Sequence, residues 1–92
     1  MGLCISQRDG DTVVIGDSYF KTEITEDSLV RFTVDLRKRP TRLIDDSEEY
    51  CCSIIADGQR HSVTIIPYNV HAASCSLNII APYEVKIRRI DR

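Results

Sequence analysis

Apolar and polar residues alternate with a period of two along much of this 92-residue chain, and that period predicts strands. It is clearest where Val30, Phe32, Val34 and Leu36 alternate with Arg31, Thr33 and Asp35. Such a segment puts one face on a core and the other in water. Residues 3–7, 12–15, 19–25, 50–56, 61–66, 75–80 and 84–90 read as strands too, with 68–71 a continuation past Pro67. Turn chemistry separates them. Arg8-Asp9-Gly10-Asp11, Gly16-Asp17 and Asp57-Gly58 each supply a glycine for positive φ, and Ala81-Pro82 divides the last two strands. Pro40 restricts the residues after it to an edge or a kinked strand. The acidic run 45–49 reads either as a linker or as a short helix, with Ser47 as N-cap and the glutamates in the first turn. In the last predicted strand Val85, Ile87 and Arg89 share one face, and Lys86 and Arg88 the other. The pattern predicts an all-β protein.

The length allows one compact domain. Composition is ordinary for a globular chain, 42% hydrophobic and 28% charged. The net charge of −2 changes the picture, because a polyanion partner must then be held by a local patch. Arg37, Lys38, Arg39 and Arg42 form one candidate; Lys86, Arg88, Arg89 and Arg92 form another. The competing reading is that both merely solvate a surface. No apolar run nears the roughly 20 residues of a membrane span, and Met1 leads directly into a strand-like segment. The expectation is a cytoplasmic protein with no membrane partner.

Cys4, Cys51, Cys52 and Cys75 show no C-x-x-C spacing, and His61 and His71 are not placed to complete a zinc site. Adjacent Cys51 and Cys52 should face opposite sides of a strand. All four read as reduced thiols. No nucleophile–base–acid set, phosphate-binding loop or metal cluster is present. The expectation is a binding protein rather than an enzyme, with no cofactor and no metal.

Residues 3–17, LCISQRDGDTVVIGD, resemble the first two strands of the CsrA/RsmA family of carbon storage regulators, near L-I-L-T-R-R-x-G-E-x-[IL]-x-I-G-D. Residues 77–89, LNIIAPYEVKIRR, resemble the family's last two strands, and residues 63–74 suit its middle strands. The resemblance implies small interlaced antiparallel sheets or a barrel of the CsrA type. It implies a post-transcriptional (translational) regulator, of bacterial or phage type, binding GGA-containing single-stranded or loop RNA in an mRNA leader or small RNA. Family members are homodimers in which one subunit's first strand lies beside its partner's last.

Residues 8–45 and 56–91 each contain an early Asp-Gly and end on Arg-x-Ile-Asp. A repeat changes the fold expectation. The chain 1–92 reads as one compact domain of two degenerate CsrA-like units in tandem, 1–47 and 48–92, without the family's C-terminal helices. Fusion makes the association intramolecular, so a monomeric pseudo-dimer is expected over a homodimer. The alternative treats 18–62 as an insertion in a homodimer subunit.

The resemblance implies an RNA site that joins Ile5, Ser6, Gln7 and Arg8 to Ala81, Pro82, Ile87, Arg88 and Arg89. Gln7 replaces a family arginine, and Asn78 replaces a family glycine. A second site is expected to be degenerate, because Ile55, Ala56, Leu43 and Pro40 stand where contacts would be, with Arg42 a substitute one residue away. Beside these stand plainer readings: Ile5 and Ile87 as core, Arg8 and Arg88 as solvated charges. The alternative function is an RNA-binding-deficient protein-interaction module or decoy of CsrA-type regulation.

Overall fold

The computed structural model describes residues 2–35 and 40–90. Eight strands follow the alternation: β1 (Gly2–Arg8), β2 (Thr12–Ile15), β3 (Ser18–Ile24), β4 (Val30–Val34), β5 (Tyr50–Ala56), β6 (Gln59–Tyr68), β7 (Ser74–Ile80) and β8 (Ile87–Ile90). There is no helix among the described residues, so none is long and apolar enough to cross a membrane. Leu36, Arg37, Lys38, Arg39 and Arg92 lie outside the described residues, and with them most of the first basic cluster.

Where strand ends differ from expectation, a local contact explains it. β4 stops at Val34 because Asp35 takes a left-handed φ of 51°. Its amide donates to the Tyr19 carbonyl and its carboxylate accepts from the Tyr19 amide. β8 begins at Ile87 rather than Glu84 because the Val85 amide bonds the Pro82 carbonyl at 3.0 Å, closing a turn. The acidic run forms a turn and no helix. The Glu48 amide closes the turn on the Asp45 carbonyl, the Ser47 amide donates to the Pro67 carbonyl, and β5 begins at Tyr50, which leaves only two residues after Ser47 and no room for a helical turn. β6 continues through Pro67 because that residue lies past the start of β5, so its missing N–H breaks no ladder bond there.

Two four-stranded antiparallel sheets result, ordered β1-β7-β6-β5 and β4-β3-β2-β8. Each is a three-strand meander extended by a strand from the far end of the chain. β1 pairs with β7 from Gly2↔Ile80 to Arg8↔Ser74, and β8 pairs with β2 from Ile15↔Ile87 to Thr12↔Ile90. The barrel alternative is corrected: no ladder joins the two sheets among the described residues. They share one core instead. Val13, Ile15, Phe20, Val30 and Phe32 of one sheet meet Ile54, Val63, Ile65, Leu77 and Ile79 of the other.

Segment 40–44 lies along β4 through two bridges, Thr33↔Pro40 and Val30↔Ile44. Between them the Thr41 hydroxyl accepts from the Phe32 amide, so pairing is irregular, as Pro40 requires. Ile44 is fully buried. Arg42 bonds Glu48 at 2.7 Å and stands over the Tyr50 ring. The Asp45 amide and the Arg42 guanidinium hold the Glu48 carboxyl below its ordinary range.

Gly16 marks where the sheets touch. Its amide donates to the Lys86 carbonyl, and the next amide, of Asp17, donates to the Ile55 carbonyl. With φ +61° a side chain here is strained, and a Cβ would stand 2.8 Å from that same Ile55 oxygen.

Candidate functional site

Along β1 the residues Leu3, Ile5 and Gln7 share one face, opposite Ile79, Leu77 and Cys75 of β7. Exposure falls from 43% at Leu3 to 1% at Gln7, so the strand descends into the core. The other face carries Cys4, Ser6 and Arg8, opposite Asn78, Ser76 and Ser74. Asn78 sits in regular pairing on both sides of β7. On β8, Ile87 and Arg89 stand opposite Ile15 and Val13, on one face. Ile87 packs against the core. Arg89 is exposed at the mouth between the sheets.

There the two end strands meet. Arg89 Nη1 donates to the Ser6 carbonyl at 3.3 Å. β1 is an edge strand, so carbonyls on its outer side have no ladder partner, and a guanidinium can take one. Two clefts open along this seam. One, of about 230 Å³, is lined by Ser6, Gln7, Arg8, Asp11, Ser74, Arg89 and Ile90. The other, of about 180 Å³, is lined by Gly2, Leu3, Ala81, Pro82, Tyr83, Val85 and Ile87. The early residues of β1 thus lie by the start of β8, and the late ones by its end. The two strands thus run in the same direction on either side of the seam, with no ladder between them among the described residues.

Of the residues singled out in the sequence, Ser6, Gln7, Arg8 and Arg89 share the first cleft, and Ala81, Pro82 and Ile87 share the second. Ile5 lies between them, packed on the core. Arg88 is exposed and lines neither. Gln7 departs from the expectation of a surface contact: its side chain is buried, and neither carboxamide atom has a hydrogen-bond partner among the described residues. Asp11, Ser74, Ile90, Gly2, Leu3, Tyr83 and Val85 are additions. Asp11 belongs by its turn, its carboxylate accepting from the Arg8 amide at 2.9 Å. Tyr83 directly follows Ala81-Pro82, and only this adjacency hinted at it.

Charge gathers here. Of the eight described lysines and arginines, Arg8, Lys86, Arg88 and Arg89 lie on or near the two end strands, against the acidic Asp9, Asp11 and Glu84. Arg31 and Arg42 are tied elsewhere, to Glu23 and Glu48. Among the described residues no group of three or more His, Cys, Asp or Glu is placed to hold a metal ion. Comparison of the chain with protein-family models, curated proteins and solved structures gave no match.

Proposed function

We propose that the seam between β1 and β8 binds GGA-containing single-stranded or loop RNA, and that the protein is a CsrA-like post-transcriptional regulator. The observation that carries this reading is the convergence of opposite chain ends: β1 and β8 belong to different sheets with no ladder between them among the described residues, and the Arg89 guanidinium reaches the Ser6 carbonyl across the seam. Arginines beside a polar cleft suit single-stranded RNA, offering phosphate contact and planar stacking together.

The tandem form of the reading has support in the pairing pattern. Hairpin β2–β3 closes at Ile15↔Ser18, and hairpin β5–β6 closes the same way at Ala56↔Gln59. β1 flanks the third strand of one meander, β7, and segment 40–44 flanks the third strand of the other, β4. On this correspondence Asp57-Gly58 answers to Gly16-Asp17 rather than to Asp9-Gly10, and the junction between units falls before Pro40 rather than at residue 47. β8 covers the outer edge of β2, whereas the outer edge of β5 has no strand among the described residues. One complete site and one incomplete site result from this reading, and Arg42, committed to Glu48, is no substitute in the second.

Calorimetric titration with a GGA-loop RNA tests it. One RNA should bind per chain. Arg89→Ala should weaken binding about tenfold to hundredfold, as loss of a specific planar contact does. Arg8→Ala should cost less, and Arg42→Ala little. Absent wild-type binding, or equal losses from Arg42 and Arg89, would refute the assignment. The protein-interaction or decoy reading, which a net charge of −2 suits, would then take its place.

A further inference from the structure

The apolar cleft at the other end of the seam holds Ala81, Pro82 and Ile87 of the proposed RNA site, but the reading above gives no part to the aromatic ring beside them. Tyr83 stands at its lip with 89% of its surface exposed. Leu3, on the facing strand, is also exposed, and Ala81, Val85 and Ile87 supply an apolar lining. The ring is carried on a short turn. Pro82 fixes φ before it, and the Val85 amide closes the turn on the Pro82 carbonyl. The backbone that carries the ring is thus fixed before a partner docks, which lowers the ordering cost of that segment.

The two clefts differ in chemistry. The first presents Arg8, Arg89, Ser6 and Ser74, groups suited to a phosphodiester backbone. The second presents hydrocarbon and one aromatic ring, which phosphate avoids and a nucleobase face does not. From Leu3 to Gln7 along β1 is about 13 Å at the usual strand rise. A few nucleotides cover that span, so one RNA segment can reach both ends.

We infer that Tyr83, with Leu3 opposite, forms a subsite for one unstacked RNA base, while the arginine end of the seam holds the backbone. This rests on the RNA reading and adds a residue to it. The occupant is a base rather than a second copy of the chain or a peptide, because Arg89, on the same strand face as Ile87, and Arg8 line the other end of the same seam and supply the positive charge that an RNA strand requires.

The test is titration of the full chain with the same GGA-loop RNA across a salt series, using wild type, Tyr83→Ala, Tyr83→Phe and Arg89→Ala. Tyr83→Ala should weaken binding about fivefold to hundredfold, the usual effect of deleting a stacking ring, and Tyr83→Phe should restore it. The slope of log affinity against log salt should be unchanged in Tyr83→Ala and shallower by about one in Arg89→Ala. The chain has no tryptophan, so Tyr83→Trp gives a lone reporter whose emission RNA should quench. Wild-type affinity in Tyr83→Ala, with binding intact, would overturn the subsite and leave the RNA reading standing. A salt slope reduced as in Arg89→Ala would overturn stacking as its mechanism. No binding by wild type would overturn both, and binding of a protein partner abolished by Tyr83→Ala would then assign the cleft to that partner.

Discussion

Cys51 and Cys52 are neighbours with opposite surroundings. Cys51 is exposed beside the Thr64 hydroxyl, while Cys52 turns toward the core and burial pushes its thiol up to about 11. Cys75, buried on β7, is also pushed up to about 11, by burial first and then by Asp46. Cys4 is exposed. The thiolate is the reactive form, so alkylation near neutral pH should modify Cys4 and Cys51 and spare the other two. Mass spectrometry should show two adducts on the native chain and four in denaturant; native labelling of Cys75 would contradict the packing of β7. That Cys51 and Cys52 face opposite ways comes from strand geometry and was legible in the sequence. The burial of Gln7 was not. Alternation grouped it with Leu3 and Ile5, but only the approach of the second sheet decided that this end of the face would close over.

At the scale of elements, the two tight hairpins look alike in sequence, Gly16-Asp17 and Asp57-Gly58, and differ in what surrounds them. Both glycines have positive φ. Around Gly58 nothing lies within 4 Å of an added Cβ, whereas at Gly16 that Cβ would strike the Ile54 side chain and the Ile55 carbonyl. Gly58→Ala should therefore cost about 1–2 kcal/mol, the ordinary left-handed penalty. Gly16→Ala should cost about 2–5 kcal/mol, because overpacking against a carbonyl adds to that penalty. Urea unfolding of the two variants checks this, and equal losses would show that the Gly16 turn does not bridge the sheets. Strand existence was readable at this scale because period and turn residues are local properties. Strand ends at Val34 and Ile87 were not, since Tyr19 and Pro82 set them through tertiary or turn hydrogen bonds.

For the whole molecule, the core closes within a single chain. Fully buried residues come from both meanders and from segment 40–44, with Phe20, Phe32, Ile44, Ile65, Leu77 and Ile79 all at 1% exposure or less. The radius of gyration, 12.1 Å, matches the roughly 12 Å of a compact domain of this length. Each sheet borrows its fourth strand from the far end of the same chain, so no second copy is needed to complete either. Light scattering at micromolar concentration should report a monomer. A stable dimer mass would contradict this and favour the homodimer reading with an inserted 18–62.

Residue order alone set the all-β class, the succession of strands and turns, and the alternation that puts Ile87 and Arg89 on one face. These depend on backbone sterics and on side chains near in sequence. The resemblance, not the periodicity, supplied the idea that the first and last strands meet. Which strands pair was a matter of long-range packing. β1 finds β7, and β8 finds β2: β1 lays the face of Leu3 and Ile5 against β7, whereas β8, largely exposed, is held by its backbone ladder to β2 and by Ile87 against the core. The same packing put Tyr83 and Leu3 on one cleft at the seam, and buried Gln7 beneath it. Two residues so far apart in the chain leave no mark on each other's local pattern; only the shared burial of the sheets makes them neighbours.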